Sequence, residues 1–272
     1  MPKKKFKLTN ENYYTKEANE KLMSVSLYKM FFGTLGYKGC EVQAMAYIKG
    51  DYKKEPTTAM LVGSYVDSYF EGTLENFKIE HPELFKKDGS LKSEFIQAEN
   101  IINRIKKDKK FMQYMSGEKQ TIMTGELAGT QWKIKMDSYI PHRAIVDLKV
   151  VEDIYKPYYH KDTGKLNFIQ DRGYDFQLAV YQHIVEMNTG ERLPCFIAAA
   201  DKGKITNIEL IQITQPELDG ALAGVQYGIE RINRIKAGEI EPERCGRCDY
   251  CKEIKIIQHP ISMSELTNWI EG

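Results

Sequence analysis

Two stretches decide the fold: Trp132-Lys133-Ile134-Lys135-Met136-Asp137-Ser138-Tyr139-Ile140-Pro141 and Ala144-Ile145-Val146-Asp147-Leu148-Lys149-Val150-Val151. Both are rich in β-branched, aromatic and other apolar residues, and Pro141-His142-Arg143 punctuates them, so they read as adjacent antiparallel strands. Each carries one acid among apolar neighbours. Side chains alternate along a strand, so Ile145, Asp147 and Lys149 share a face, with Asp147 and Lys149 about 7 Å apart along it. Leu148 points to the opposite face.

The chemistry this suits is metal-assisted phosphodiester hydrolysis. Asp137, Asp147 and the Leu148 backbone carbonyl are hard oxygen donors of the kind that hold Mg²⁺ or Mn²⁺. Such a metal acidifies a bound water and neutralises charge on a phosphate. A lysine alongside adds a positive charge where negative charge grows in the transition state. A lone D-x-K is also what a solvated strand face carries, so these residues do not decide the matter alone.

Outward from this pair, residues 120–127 form a third strand, giving a meander of 120–127, 130–140 and 144–151. Upstream the texture is helical. The first fifty residues read as helical and irregular, with Asn10, Asn12 and Ser24 or Ser26 as caps. Residues 57–70 and 93–114 carry apolar residues at helical spacing, with a loop over 81–90 between them. Downstream come a helix over 168–188, strands over 194–200 and 205–213, and a helix from 215 to about 236, opened by Pro216. The order of helices, three strands, helix, two strands and helix predicts an α/β fold with an added N-terminal helical region.

The 272 residues hold 39 Lys+Arg against 38 Asp+Glu, a formal charge of +1, with 42% hydrophobic and 28% charged residues. That composition excludes a largely disordered or collagen-like chain. No apolar run approaches the roughly 20 residues that cross a bilayer, so no membrane association is expected. The first residues show no secretory signal. Any nucleic-acid contact must use locally concentrated charge. Basic groups lie at Lys3-Lys4-Lys5-Lys7, at Lys106-Lys107-Lys109-Lys110 and near Arg231, Arg234 and Lys236. Tyr13, Tyr14, Tyr155, Tyr158 and Tyr159 offer faces for base stacking. Solvated helix faces explain the same charge runs.

Further polar residues accompany the strand pair in order. Gly63-Ser64-Tyr65-Val66-Asp67 lies on an upstream helix, Glu126 ends the first strand, and Gln177 and Tyr181 form an i, i+4 pair on the following helix. The ordered set resembles the PD-(D/E)XK nucleases, specifically their RecB-like and lambda-exonuclease-like branch. The segment Met23-Ser24-Val25-Ser26-Leu27-Tyr28-Lys29 is similar to one found in RecE-type exonucleases of phages and prophages. The resemblance spans nearly the whole chain. It implies a restriction-endonuclease-like central mixed sheet flanked by helices. It also implies one nuclease unit over 1–272, with a mainly helical part at 1–118, a core at 119–238 and a Cys-rich segment at 239–272.

Carried over, the resemblance makes Asp137, Asp147 and the Leu148 carbonyl metal ligands and Lys149 the residue that positions or activates water. Asp67 stands where many relatives place a metal-binding His, and a carboxylate there still suits Mg²⁺ or Mn²⁺. Glu126 would support the metal site; Gln177 and Tyr181 would orient it and the DNA backbone. The implied activity is a 5′→3′ exonuclease resecting double-stranded DNA ends. Its partners would be DNA, a single-strand annealing protein and further copies of itself, in the cytoplasm of a bacterial or phage-infected cell. A non-catalytic, metal-stapled DNA-binding protein, and an endonuclease or single-strand nuclease on the same scaffold, remain as alternatives.

Five cysteines occur, three of them in Cys245-Gly246-Arg247-Cys248-Asp249-Tyr250-Cys251. These supply three metal ligands on a tight loop. Cys195 lies in an apolar strand, where cysteine behaves as a small hydrophobe. Cys40, on a turn, is the better fourth ligand. One upstream and three C-terminal cysteines resemble the iron–sulfur staple of some RecB-like nucleases, which implies a [4Fe–4S] cluster. Zinc is the rival, since four-cysteine zinc sites are common.

Overall fold

The structure, a computed structural model, describes residues 6–266. The N-terminal half is helical: α1 (Lys16–Lys21), α2 (Val25–Phe32), α3 (Glu41–Lys49), α4 (Thr58–Glu71), α5 (Leu74–Glu80), α6 (Ser93–Lys106) and α7 (Lys109–Tyr114). The helix expected over 57–70 is α4. The Thr57 side chain accepts the Met60 N–H, and Leu61, Val62, Tyr65 and Val66 bury one stripe. Ser24 caps α2 as expected, whereas α1 is capped by Thr15 rather than by Asn10 or Asn12. The helix expected over 93–114 is two helices, because the Asp108 carboxylate accepts the Phe111 N–H and restarts the chain as α7.

Strands β1 (Thr121–Leu127), β2 (Thr130–Met136), β3 (Ser138–Ile140) and β4 (Ala144–Val151) follow. The expected three-strand meander is corrected here. The long strand over 130–140 breaks at Asp137, so β1 and β2 form their own ribbon while β3 pairs antiparallel with β4. A short hairpin, β5 (Tyr158–His160) with β6 (Gly164–Leu166), was not expected. The helix over 168–188 is α8 (Phe168–Arg172) and α9 (Tyr174–Thr189), divided at Gly173, whose φ of 61° suits glycine. Then come β7 (Cys195–Asp201), β8 (Ile208–Ile213), α10 (Gln215–Ala221), α11 (Val225–Lys236) and α12 (Asp249–Glu253). The expected final helix is likewise divided, at Gly224.

The central sheet has the order β3-β4-β7-β8 and is mixed: β4 and β7 run parallel, the outer pairs antiparallel. A parallel pair needs a crossover, and α8 and α9 lie in that connection. The two faces of β4 and β7 feed two cores. Ile145, Cys195, Ile197 and Ala199 pack with α9, β2 and α2, while Val146, Leu148, Ala198 and Ala200 pack with α4 and α6. This is the period-two alternation of a sheet buried on both sides. It puts Asp147 and Lys149 in register with the residues facing α9. Among the described residues, no helix is long and apolar enough to cross a membrane.

Candidate active site

The break at Asp137 creates the site. Ser138 pairs with Val146, so continued pairing would set Met136 opposite Leu148. Instead β2 leaves to pair with β1, and the Leu148 N–H that the ladder would have used donates to Asp137 Oδ2 at 3.0 Å. A carboxylate thus takes over a ladder bond, which is why an acid sits where a strand residue was expected. Leu148 itself buries its side chain on the α4–α6 side of the sheet.

Asp147 is 1% exposed. Its Oδ2 forms an ion pair with Lys149 Nζ, and its Oδ1 accepts from Gln177 Nε2 at 2.7 Å. The same Gln177 nitrogen donates to Tyr181 Oη at 3.1 Å, one turn along α9. Asp67 arrives on α4 from the other layer, and its Oδ1 is buried with no hydrogen-bond partner. Asp67, Asp137, Asp147, Lys149, Gln177 and Tyr181 therefore line one cleft of about 1440 Å³.

The electrostatics express this crowding. Burial, then the Asp137 charge, pushes the Asp67 carboxyl well above the usual range. Burial, then the Asp147 charge, pushes Asp137 up to about 7. For Lys149, burial disfavours the charge, but Asp147 and Asp137 outweigh it and raise the ammonium's pKa. Lys29 on α2 is lowered to about 8 by burial and by Lys149. It donates to the Arg172 carbonyl at 2.9 Å. Lys29 and Lys149 share the Tyr174 ring, at 5.4 and 4.9 Å from its centre.

Three carboxylates from two layers line this cleft, and the orphaned Asp67 Oδ1 is a buried acceptor of the kind a hard divalent cation would satisfy. The donor set is oxygen throughout, which suits Mg²⁺ or Mn²⁺ better than soft metals.

Glu126 does not join these residues, a correction to the expected site. It is exposed and pairs with Gln131, five positions along β1 from the Thr121–Met136 pair beside Asp137. At about 3.3 Å per residue that is roughly 17 Å. Glu71 takes the nearer position. It lines the cleft one turn after Asp67, raises the Asp67 and Asp137 pKa values, and accepts from Gln120 Nε2 at 2.6 Å. Sequence reasoning missed Glu71 and Tyr174, although the i, i+4 spacing of Asp67 and Glu71 was a readable signal.

The cleft continues past Tyr13, Tyr14, Lys133 and Lys135. Lys135 Nζ lies 4.8 Å from the Tyr14 ring centre. Burial lowers Lys133 to about 8; it donates to Asn19 Oδ1 at 2.7 Å and to the Tyr13 carbonyl. Tyr155, Tyr158 and Tyr159 are not among the lining residues. Nor, among the described residues, do the expected basic groups line the cleft. Arg231 pairs with Glu41 and Glu243, Arg234 with Glu239, and Lys236 donates to the Glu20 carbonyl. Lys106 and Lys110 lie over the Tyr69 and Tyr114 rings. Lys3, Lys4 and Lys5 lie outside the described residues.

Cys40, Cys245, Cys248 and Cys251 converge, while Cys195 is buried in β7 with its thiol against the Leu178 and Leu193 carbonyls.

A mixed sheet flanked by helices, with acids at a strand break and a D-x-K strand, defines the PD-(D/E)XK-like class of fold. The family model described as "PDDEXK-like domain of unknown function (DUF3799)" matches residues 24–254, and the chain belongs to that family. A crystal structure of a protein named "Putative exonuclease", from Eubacterium rectale, is similar at 53% identity and a TM-score of 0.94, covering 96% of this chain and 98% of that one. No curated protein matches the chain.

Proposed function

We propose that the chain is a divalent-metal-dependent deoxyribonuclease that hydrolyses DNA phosphodiester bonds, acting 5′→3′ from double-stranded ends. The observation that carries the nuclease reading is the convergence of Asp67, Asp137, Asp147 and Lys149 in one cleft, with a buried carboxylate oxygen lacking any partner. Membership of a PDDEXK-like family and 53% identity to a protein named as an exonuclease support it. Polarity and the preference for ends rest on the resemblance to RecE-type enzymes. In this reading the helical part, the core and the Cys-rich segment work as one unit.

Asp67, Asp137, Asp147 and the Leu148 carbonyl would hold Mg²⁺ or Mn²⁺, which when bound supplies an acidified water and charge neutralisation at the phosphate. Gln177 fixes Asp147 by holding Oδ1, and Tyr181 fixes Gln177. Lys149, paired with Asp147, presents a positive charge to the scissile phosphate. Lys29, Lys135 and Tyr14 offer phosphate and base contacts along the cleft.

The test compares linear duplex labelled at either 5′ or 3′ ends with closed circular DNA, in Mg²⁺ or Mn²⁺. Early release of 5′ label, intact circles, and loss of activity in Asp147→Asn and Lys149→Ala are expected. Degradation of circles would replace the exonuclease reading by an endonuclease. Activity unchanged in both variants, or absent from the wild type, would sink the nuclease reading.

A further inference from the structure

The four cysteines come from distant parts of the chain. Cys40 caps the start of α3, Cys245 and Cys248 lie on the segment before α12, and Cys251 lies within it. Their Sγ atoms all lie within 4.8 Å of one another. Cys40 and Cys251 are 3.5 Å apart, and Cys245 and Cys251 4.0 Å. The backbone around them is turned toward sulfur. Cys245 Sγ accepts from the Arg247 and Cys248 N–H groups at 3.4 and 3.3 Å, and Cys248 Sγ accepts from the Cys251 N–H at 3.4 Å. Such N–H groups stabilise negative charge on sulfur, as a metal-bound thiolate requires.

The sulfur spacing discriminates between metal groups. One ion with four bonds of about 2.3 Å in a tetrahedron sets its sulfurs about 3.8 Å apart. The Cys40–Cys251 and Cys245–Cys251 separations bracket that value, and no pair exceeds 4.8 Å. A cubane puts a separate iron under each thiolate with the cluster body between them, so it needs the four sulfurs spread wider. The [4Fe–4S] cluster implied by the resemblance to RecB-like nucleases therefore does not fit this site. Four sulfur donors with no imidazole, carboxylate or open position make a closed structural site, for which zinc is the fitting ion.

The site is also tied to the cleft. Cys248 and Asp249 line it together with Asp137 and Asp147. The Cys40 N–H donates at 2.7 Å to the Met30 carbonyl, next to the cleft lysine Lys29. Gly39, just before, passes so close to the Phe31 carbonyl that a Cβ would collide with it. Beside it the Glu41 carboxylate binds Arg231 and accepts the Glu243 N–H at 2.7 Å, and the Val42 N–H donates to the Glu243 carbonyl at 3.3 Å. We propose that Cys40, Cys245, Cys248 and Cys251 hold a single zinc ion, and that this ion fastens the C-terminal segment to α2 and α3 as a wall of the cleft.

The ion's identity is independent of the nuclease reading; only the DNA-binding arm rests on it. Full-length protein is purified anaerobically, without chelator, from cells supplied with both zinc and iron. The expected result is one zinc per chain, no acid-labile sulfide and no visible absorption. Cobalt exchanged into the site should give the spectrum of a tetrahedral thiolate centre. Cys251→Ser should lose the zinc, and Cys195→Ser should keep it. Iron, with or without sulfide, or a metal-free protein with a Cys40–Cys251 disulfide would overturn the proposal. For the second half, zinc removal should expose the chain after residue 238 to protease and weaken binding of linear duplex in Ca²⁺. An unchanged digestion pattern would refute the fastening role. Zinc present without any DNA binding would leave the ion's identity standing and count against the nuclease reading.

Discussion

Replacing Asp67 by asparagine should make the metal-free protein more stable while removing its metal response. Asp67 Oδ1 is buried without a partner, and the Asp137 and Asp147 charges add to the cost of ionising it. A buried unsatisfied polar group costs about 1–3 kcal/mol, more when charged. Asparagine keeps the size and removes the charge, so a gain of about 2 kcal/mol is expected in EDTA at pH 8. At roughly 2–4 °C per kcal/mol for a chain near this length, the Tm should rise by about 4–8 °C. The sign with pH follows from the raised carboxyl pKa. The folded protein keeps the proton at pH values where the unfolded chain has lost it. This contribution to stability is therefore complete below the unfolded value near 4 and is lost as pH climbs through the folded value. The advantage of Asp67→Asn should then shrink at pH 5. Asp137, pushed up to about 7, adds to the same fall of wild-type stability between pH 4 and 7. Saturating Mg²⁺ or Mn²⁺ should raise the wild-type Tm at pH 8 and barely move the variant. Calorimetry at the two pH values, with EDTA or metal, decides the matter. An Asp67→Asn protein no more stable than wild type at pH 8 in EDTA, or one with the same gain at both pH values, would refute the reasoning.

Gln177→Ala frees Asp147 Oδ1 and Tyr181 Oη together, so metal affinity, read by the Mg²⁺ dependence of rate or by calorimetry, should fall about 10–100-fold. Glu71→Gln should lower nuclease activity and shift its metal dependence, whereas Glu126→Gln should leave both unchanged; a duplex degradation assay on the two variants reads this. Ile197→Ala, a fully buried site facing α9 in the parallel β4–β7 pair, should cost about 2–5 kcal/mol by urea denaturation of the metal-loaded protein.

What could be read in the sequence followed from periodicity and order. The alternation in β4 separated Asp147 and Lys149 from Leu148, and the apolar stripe of α4 required a buried helix against the sheet. The misses have local physical causes. Asp108, Gly173 and Gly224 each divide a helix whose apolar spacing continues across the break, so periodicity alone joined the pieces. Asp137 was visible as an acid in a strand, but not as the point where the strand ends. That depends on its carboxylate replacing a ladder bond to Leu148, a contact between residues eleven apart.

Glu126 and Glu71 mark the limit of reading a site from residue order. Glu126 stands in the right order between the upstream helix and Asp137, yet β1 carries it away along an extended ribbon. Glu71 is adjacent because one helical turn advances only about 5.4 Å, keeping it beside Asp67 on the cleft side of α4. Rise per residue therefore decides which acid belongs: a short step along a helix stays in the site, and a similar step along a strand leaves it. The same geometry favours Cys40 over Cys195. Cys195 is held in the sheet interior at 0% exposure, while Cys40 sits at a helix start where the turn through Gly39 can bring it to the C-terminal segment. Asp137 and Cys40 thus both stand where regular structure ends, at a strand break and at a helix start, where a side chain escapes the packing that the strand or helix imposes, whereas Asp67 and Asp147 reach the cleft from within α4 and β4.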